Sequence, residues 1–134
     1  MSARASLYLV AMLLAVPAPA SAQIAKDPLG SLHATAPDFT VRRVDGGKLQ
    51  LATLRREGPV LLDFWATWCK PCLASLPELE ALHRRFAARG VSVVGVSIDG
   101  PRNFAKVRPF AARLGLTYPI VVDEDGGLQR GFHV

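Results

Sequence analysis

Cys69 and Cys72 are the chain's only cysteines, set two residues apart in Trp68-Cys69-Lys70-Pro71-Cys72. Such a pair can close a tight disulfide if the first thiol ends a strand and the second lies in the first turn of a helix, since about one helical turn then separates them. A sulfur at a helix N-terminus meets unsatisfied N–H groups and the positive end of the helix dipole, and both favour its thiolate. Lys70 adds a neighbouring positive charge, so Cys69 is expected to be the stronger nucleophile near neutral pH. Pro71 suits the first helical position, N1, where it forfeits no hydrogen bond. The ring closed by this bridge is very small, removes little entropy from the unfolded chain and adds little stability. Exchange chemistry therefore explains the bridge better than structural reinforcement does.

Other uses of the pair fit less well. Zinc needs about four ligands, yet there is no second Cys pair, and His33, His83 and His133 do not fall at finger spacing. Covalent haem attachment requires His after the second Cys, where Leu73 stands. A dithiol also suits Cu(I), which leaves a non-catalytic copper carrier or adaptor as an alternative. No metal and no cofactor beyond the Cys69–Cys72 disulfide is assigned. Asp63 is the second informative residue, a carboxyl within the apolar run Val60-Leu-Leu-Asp-Phe-Trp-Ala66. Burial there should raise its pKa. A turn at Ala66 to Trp68 can bring it beneath the helix start, where it can accept the proton of Cys72 as that thiol attacks.

The flanking elements read as alternating strands and helices. Phe39 to Val41 and Leu49 to Leu51 alternate around the turn signal Asp45-Gly46-Gly47, which predicts a β-hairpin. Arg55 to Pro59 reads as a polar connector. Val60 to Ala66 and Val91 to Ile98 are short apolar runs of the kind that form buried strands. Between them a helix is expected from about Pro71 to Arg89. Leu73, Leu76, Leu79, Leu82 and Phe86 form its apolar face, with Glu78, Glu80, Arg84, Arg85 and Arg89 largely elsewhere. Pro77 should kink this helix and Gly90 should end it. A second helix is expected from Phe104 to Leu114, kinked or broken at Pro109, and a third strand from Pro119 to Val122. Leu128 to Val134 is too short to assign. This order implies an α/β sheet.

The N-terminus reads as an address. Arg4 precedes the ten-residue apolar run Leu7 to Val16, then Pro17, Pro19 and Ala20-Ser21-Ala22. A bilayer span needs about 20 apolar residues, so residues 1–22 resemble a secretory signal peptide cleaved after Ala22. The mature chain should be periplasmic or otherwise secreted. Residues 23–35 read as a linker and 36–134 as the domain. The formal charge is +5, from 16 Lys and Arg against 11 Asp and Glu. Its Arg pairs are scattered and lack interleaved aromatics, so no nucleic-acid surface is read from them.

Val60-Leu-Leu-Asp-Phe-Trp-Ala-Thr-Trp-Cys-Lys-Pro-Cys72 resembles the active-site signature of the thioredoxin superfamily. Pro77, five residues beyond Cys72, matches the kink in that family's active-site helix. Ala36-Pro-Asp-Phe-Thr40, the Asp-Gly hairpin and Leu76-Pro77-Glu78-Leu79 look more specifically like secreted TlpA/ResA-type thiol-disulfide reductases. The resemblance implies a thioredoxin-like α/β fold with an N-terminal β-hairpin. It makes Cys69 the attacking thiol and Cys72 the resolving one, with Trp65 and Trp68 flanking them. Lys70 and Pro71 become the pair that tunes reduction potential. Asp63 matches the buried acid of thioredoxin itself, where the TlpA/ResA group often has Asn. Ser75 stands where some cytochrome-maturation members carry Glu.

The implied partners are disulfide-containing substrates such as apocytochrome c or other exported thiol proteins, with a membrane thiol reductant as electron donor. Family members continue past this point into a cis-proline segment, two strands and a helix. Gly131-Phe132-His133-Val134 resembles the lead-in to that segment, so the domain is expected to be C-terminally incomplete, with an apolar strand edge left open. Ala36 to Thr40 also occurs in peroxiredoxins, which raises a thiol peroxidase as a competitor. Their nucleophile follows Pro-x-x-x-Thr-x-x-Cys, but Leu62 and Ala66 occupy the Pro and Thr positions before Cys69.

Overall fold

Asp45-Gly46-Gly47 does turn the chain back on itself. In the computed structural model, which describes residues 35–134, β1 (Thr40–Arg42) pairs antiparallel with β2 (Lys48–Gln50). The second arm ends one residue earlier than its alternation implied. Leu51 opens a helix, α1 (Leu51–Glu57), over residues expected to be strand and connector. Leu51 and Leu54 lie three apart and both pack into the core. The cap comes from far away in sequence: Asp38 accepts the Ala52 N–H at 2.7 Å. Gly58 then passes so close to Gly90 that a Cβ would lie 2.2 Å from the Gly90 carbonyl oxygen, so only glycine fits.

β3 (Val60–Trp65), β4 (Ser92–Ser97) and β5 (Ile120–Val122) form a parallel sheet in the order β3-β4-β5. Both faces of this sheet are covered, which is why its strands read as nearly continuous apolar runs. Trp65, Val93, Ile120 and Val122 face α2 (Lys70–Phe86) and α3 (Phe104–Arg113), meeting Leu76, Val107 and Ala111. Val94, Val96 and Val121 face the other way, toward Leu49 of the hairpin, Leu54 of α1 and Leu128 of α4 (Gly127–Phe132). Full burial of one such side chain stabilises by about 1.5–3 kcal/mol. The hairpin reaches the sheet on its β5 side, where the Val44 N–H donates to the Ile120 carbonyl at 2.9 Å. Among the described residues β3 pairs only with β4.

Both prolines are absorbed within unbroken helices, Pro77 in α2 and Pro109 in α3. A 3-10 turn at Ala87–Arg89 tightens the end of α2 before Gly90 turns left-handed at φ +83°. Phe86 is half-buried and lies under the guanidinium groups of Arg85 and Arg89. Glu80, assigned to the solvent face, is instead buried at 8% exposure. The unassigned C-terminal stretch forms α4, because Asp123 accepts the N–H groups of Leu128 and Gln129 at 3.0 and 2.9 Å. No helix among the described residues is long and apolar enough to cross a membrane. The expected signal peptide, and all of the expected linker except Thr35, lie outside the described residues.

Candidate active site

The dithiol sits where β3 hands over to α2. The Ile98 N–H donates to the Trp65 carbonyl at 2.8 Å, extending the β3–β4 ladder by one bond. The chain then turns, and the Cys69 N–H donates back to the Ala66 carbonyl at 3.1 Å. Cys69 is the residue that caps α2, and its carbonyl accepts the first helical bond, from Leu73, at 3.0 Å. Lys70 opens the helix, so Pro71 falls one position later than N1, where its missing N–H still costs nothing. Cys69 and Cys72 are joined as a disulfide, with their Cα atoms 5.3 Å apart. Cys69 is half-buried, while Lys70 and Pro71 are exposed. Cys72 packs against the core on the α2 face of the sheet.

The two tryptophans expected to flank the dithiol part company. Trp68 is 66% exposed beside Cys69, whereas Trp65 is wholly buried, its ring 6.1 Å from that of Phe110. Trp65 is the last inward-facing residue of β3; Trp68 lies past the turn. Trp65 therefore supports the site from within and presents no surface to a partner.

Asp63 pairs in register with Gly95 of β4, which places it on the same sheet face as Trp65 and Cys72. A Cβ at Gly95 would lie 3.0 Å from Trp65 Nε1 and 3.1 Å from the Tyr118 ring, so the missing side chain lets both close in beside Asp63. Asp63 Oδ2 is sealed from solvent and has no hydrogen-bond partner among the described residues. Desolvation by burial raises its pKa. Tyr118 feels the same surroundings: burial first, then the charges of Asp63 and Glu80, push its hydroxyl pKa up.

Two residues of the site were not singled out from sequence. They are Thr67 and, in the turn signal Asp99-Gly100-Pro101 that follows the Val91 to Ile98 run, Asp99. Its carboxyl accepts the Thr67 N–H at 3.0 Å through Oδ2, the Thr67 hydroxyl at 2.5 Å through Oδ1, and the Ser97 hydroxyl at 2.7 Å through Oδ2. The parallel register was the available signal. Trp65 pairs with Ser97, so two residues further along both strands Thr67 and Asp99 come level. No cluster of three or more His, Cys, Asp or Glu able to hold a metal ion occurs among the described residues.

A parallel sheet with helices over both faces and a Cys-x-x-Cys disulfide at a strand-to-helix turn defines a thioredoxin-like α/β domain. Residues 32–134 match the AhpC/TSA family, and the chain belongs to it. The thiol-disulfide oxidoreductase ResA of Geobacillus kaustophilus is 37% identical over 104 residues, which cover 78% of this chain and 58% of that protein. The chain thus spans less than two thirds of that relative's length. Among solved structures, a thiol:disulfide interchange protein of the thioredoxin family from Chlorobium tepidum aligns with a TM-score of 0.63 at 30% identity, covering 72% of this chain and 64% of that one. The peroxidoxin BcpB of Mycobacterium tuberculosis aligns with a TM-score of 0.63 at 31% identity, covering 75% and 64%.

Proposed function

We propose that this chain is an extracytoplasmic thiol-disulfide oxidoreductase that reduces protein disulfides through Cys69 and Cys72. The observation that carries the reading is the position of Cys69, capping α2 and bonded to Cys72. In the reduced protein the Cys69 thiolate attacks one sulfur of a substrate disulfide and expels the other as a thiolate. Cys72 then gives its proton to Asp63 and attacks the Cys69 sulfur. The substrate leaves with both electrons, and the Cys69–Cys72 bond re-forms. Asp63 suits this role because burial holds its proton affinity above that of an ordinary carboxyl. Exposed Trp68, Lys70 and Pro71 give the substrate a surface beside the attacking sulfur.

The substrates of this reading are exported proteins carrying disulfides, apocytochrome c among them, and a membrane thiol reductant restores the dithiol. Residues 1–22 serve as the export signal, so the mature protein should begin at Gln23. Reduction of insulin disulfides, with dithiothreitol as electron source, tests the activity. Cys69→Ser should abolish it, and Cys72→Ser should trap a covalent mixed disulfide. A reduction potential nearer about −270 mV than about −120 mV is expected for a reductase, and the reverse overturns that direction.

A thiol peroxidase is the second reading, favoured by the family match and by the likeness to a peroxidoxin. Leu62 and Ala66 argue against it, because they stand where that chemistry needs Pro and Thr. Rapid consumption of hydrogen peroxide by the reduced dithiol, without insulin reduction, would reverse the preference.

A further inference from the structure

We propose that Asp99 is a positioning residue for the exchange reaction, clamping the loop that carries Cys69 so that Cys72 stays in register to attack it. This rests on the thiol-disulfide reading above and adds a residue to it.

The loop between the sheet and α2 is short and held at both ends by backbone. The Ile98 N–H to Trp65 carbonyl bond holds the strand end, and the Leu73 N–H to Cys69 carbonyl bond holds the helix end. Between them lie Ala66, Thr67 and Trp68, closed by the Cys69 N–H to Ala66 carbonyl bond. Among the described residues, the only side chain from elsewhere that bonds to this stretch is Asp99. It grips both polar groups of Thr67, two residues before the attacking sulfur and 32 residues away in sequence. Asp99 is held in turn: the Ser97 hydroxyl donates to its Oδ2, its own N–H donates back to Ser97 Oγ at 3.2 Å, and its carbonyl accepts from Asn103 Nδ2 at 3.3 Å. Ser97 is wholly buried and Asp99 is 9% exposed, so the clamp is anchored in the sheet and little loosened by water.

The two chemical steps depend on this loop unequally. Attack of Cys69 on a substrate disulfide is bimolecular and needs only an accessible thiolate. Attack of Cys72 on the mixed disulfide is intramolecular, and its rate follows how well the two sulfurs are oriented. Loosening the loop should therefore slow the second step and weaken the Cys69–Cys72 bond while sparing the first step.

Single-turnover reaction of the reduced full-length chain with 5,5′-dithiobis(2-nitrobenzoate) separates the steps, because each releases one thionitrobenzoate. For Asp99→Ala the first release should stay within about twofold of wild type and the second should slow about tenfold. The equilibrium for closing the disulfide against glutathione should also fall about tenfold, which corresponds to about 30 mV. Thr67→Val keeps the shape of the loop and loses only the hydroxyl bond; it should shift the same two quantities about threefold. That variant decides the matter if Asp99→Ala fails to fold. A merely structural Asp99 would alter both releases only in proportion to the unfolded fraction, which a urea melt of the same sample measures, and that result overturns the inference. So does a folded pair of variants with second-step rates and closure equilibria equal to wild type. A wild-type chain that never releases the second thionitrobenzoate defeats the thiol-disulfide reading itself, a separate outcome.

Discussion

Two acids, half-buried Asp63 and buried Glu80, lie on either side of the interface between the sheet and α2, and their pKa values shift in opposite directions. Asp63 projects from β3, with one carboxyl oxygen sealed and unbonded, and desolvation raises its pKa. Glu80 projects from α2 and is also desolvated, yet its pKa falls to about 2. Burial alone would raise it; hydrogen bonds from the Thr117 hydroxyl, Arg84 and the Thr117 N–H outweigh that cost. Burial therefore does not decide what a carboxyl does. The donors that burial brings with it decide. Glu80 is a strut that pins the segment before β5 to α2, while Asp63 is left short of partners and so remains able to take up a proton.

The largest expected effect tests the Asp63 side. Asp63→Asn cannot accept the Cys72 proton and should slow resolution of the mixed disulfide at pH 7 about 100-fold. The gap should narrow as pH approaches the ordinary cysteine range of about 8.5. Release of the second thionitrobenzoate across pH 6 to 9 measures this, and an unchanged rate at pH 7 removes Asp63 from the mechanism. The same variant should be more stable than wild type at neutral pH. The sign follows from linkage: a carboxyl whose folded pKa is raised favours folding while protonated. The wild type thus loses stability as pH rises from about 3.8 through the raised value. The advantage of Asn should vanish below pH 3.8 and grow above it, as read by urea melts.

Glu80→Gln should act the other way. Removing the charge weakens bonds to Thr117 and Arg84, at a cost of about 1–3 kcal/mol at pH 7. A carboxyl with a lowered folded pKa stabilises above its unfolded value. The difference between wild type and variant should therefore shrink as pH falls from about 4.5 toward 2. Equal stabilities at pH 7 would show that the Thr117 bonds contribute no net stability. The smallest effect is expected from Arg84→Gln. Arg84 is 66% exposed and lies four residues along the helix from Glu80, so its loss should cost no more than about 0.5 kcal/mol. A much larger cost would mean that the guanidinium, rather than Thr117, keeps Glu80 ionised.

These acids also mark how far local sequence carried. Asp63 was legible as an intruder in an apolar run, and its rise in pKa followed from that alone. Glu80 fell on the charged side of the α2 periodicity and read as solvated; two of its three donors are the N–H and hydroxyl of Thr117, 37 positions away. The same asymmetry runs through the fold. β3, α2 and β4 were readable because each carries its own apolar pattern and its own stop, Gly90 or Asp99-Gly100-Pro101. α1 was missed because Asp38, fourteen residues before Ala52, supplies its cap. α4 went unassigned because Asp123 caps it from five and six residues back. Trp65 and Trp68 looked alike as neighbours of the dithiol until the turn between them sent one into the core and the other to the surface.

By itself the sequence determined the dithiol, the strand and helix that present it, and the carboxyl buried behind it. Each of those is written in residue type and short spacing, which act through local geometry. Only the tertiary structure decided which acid would be satisfied and which would not, and that Asp99 would hold the loop of Cys69. A hydrogen-bond partner is fixed by where two strands lie level, and that is a property of the sheet, not of either strand.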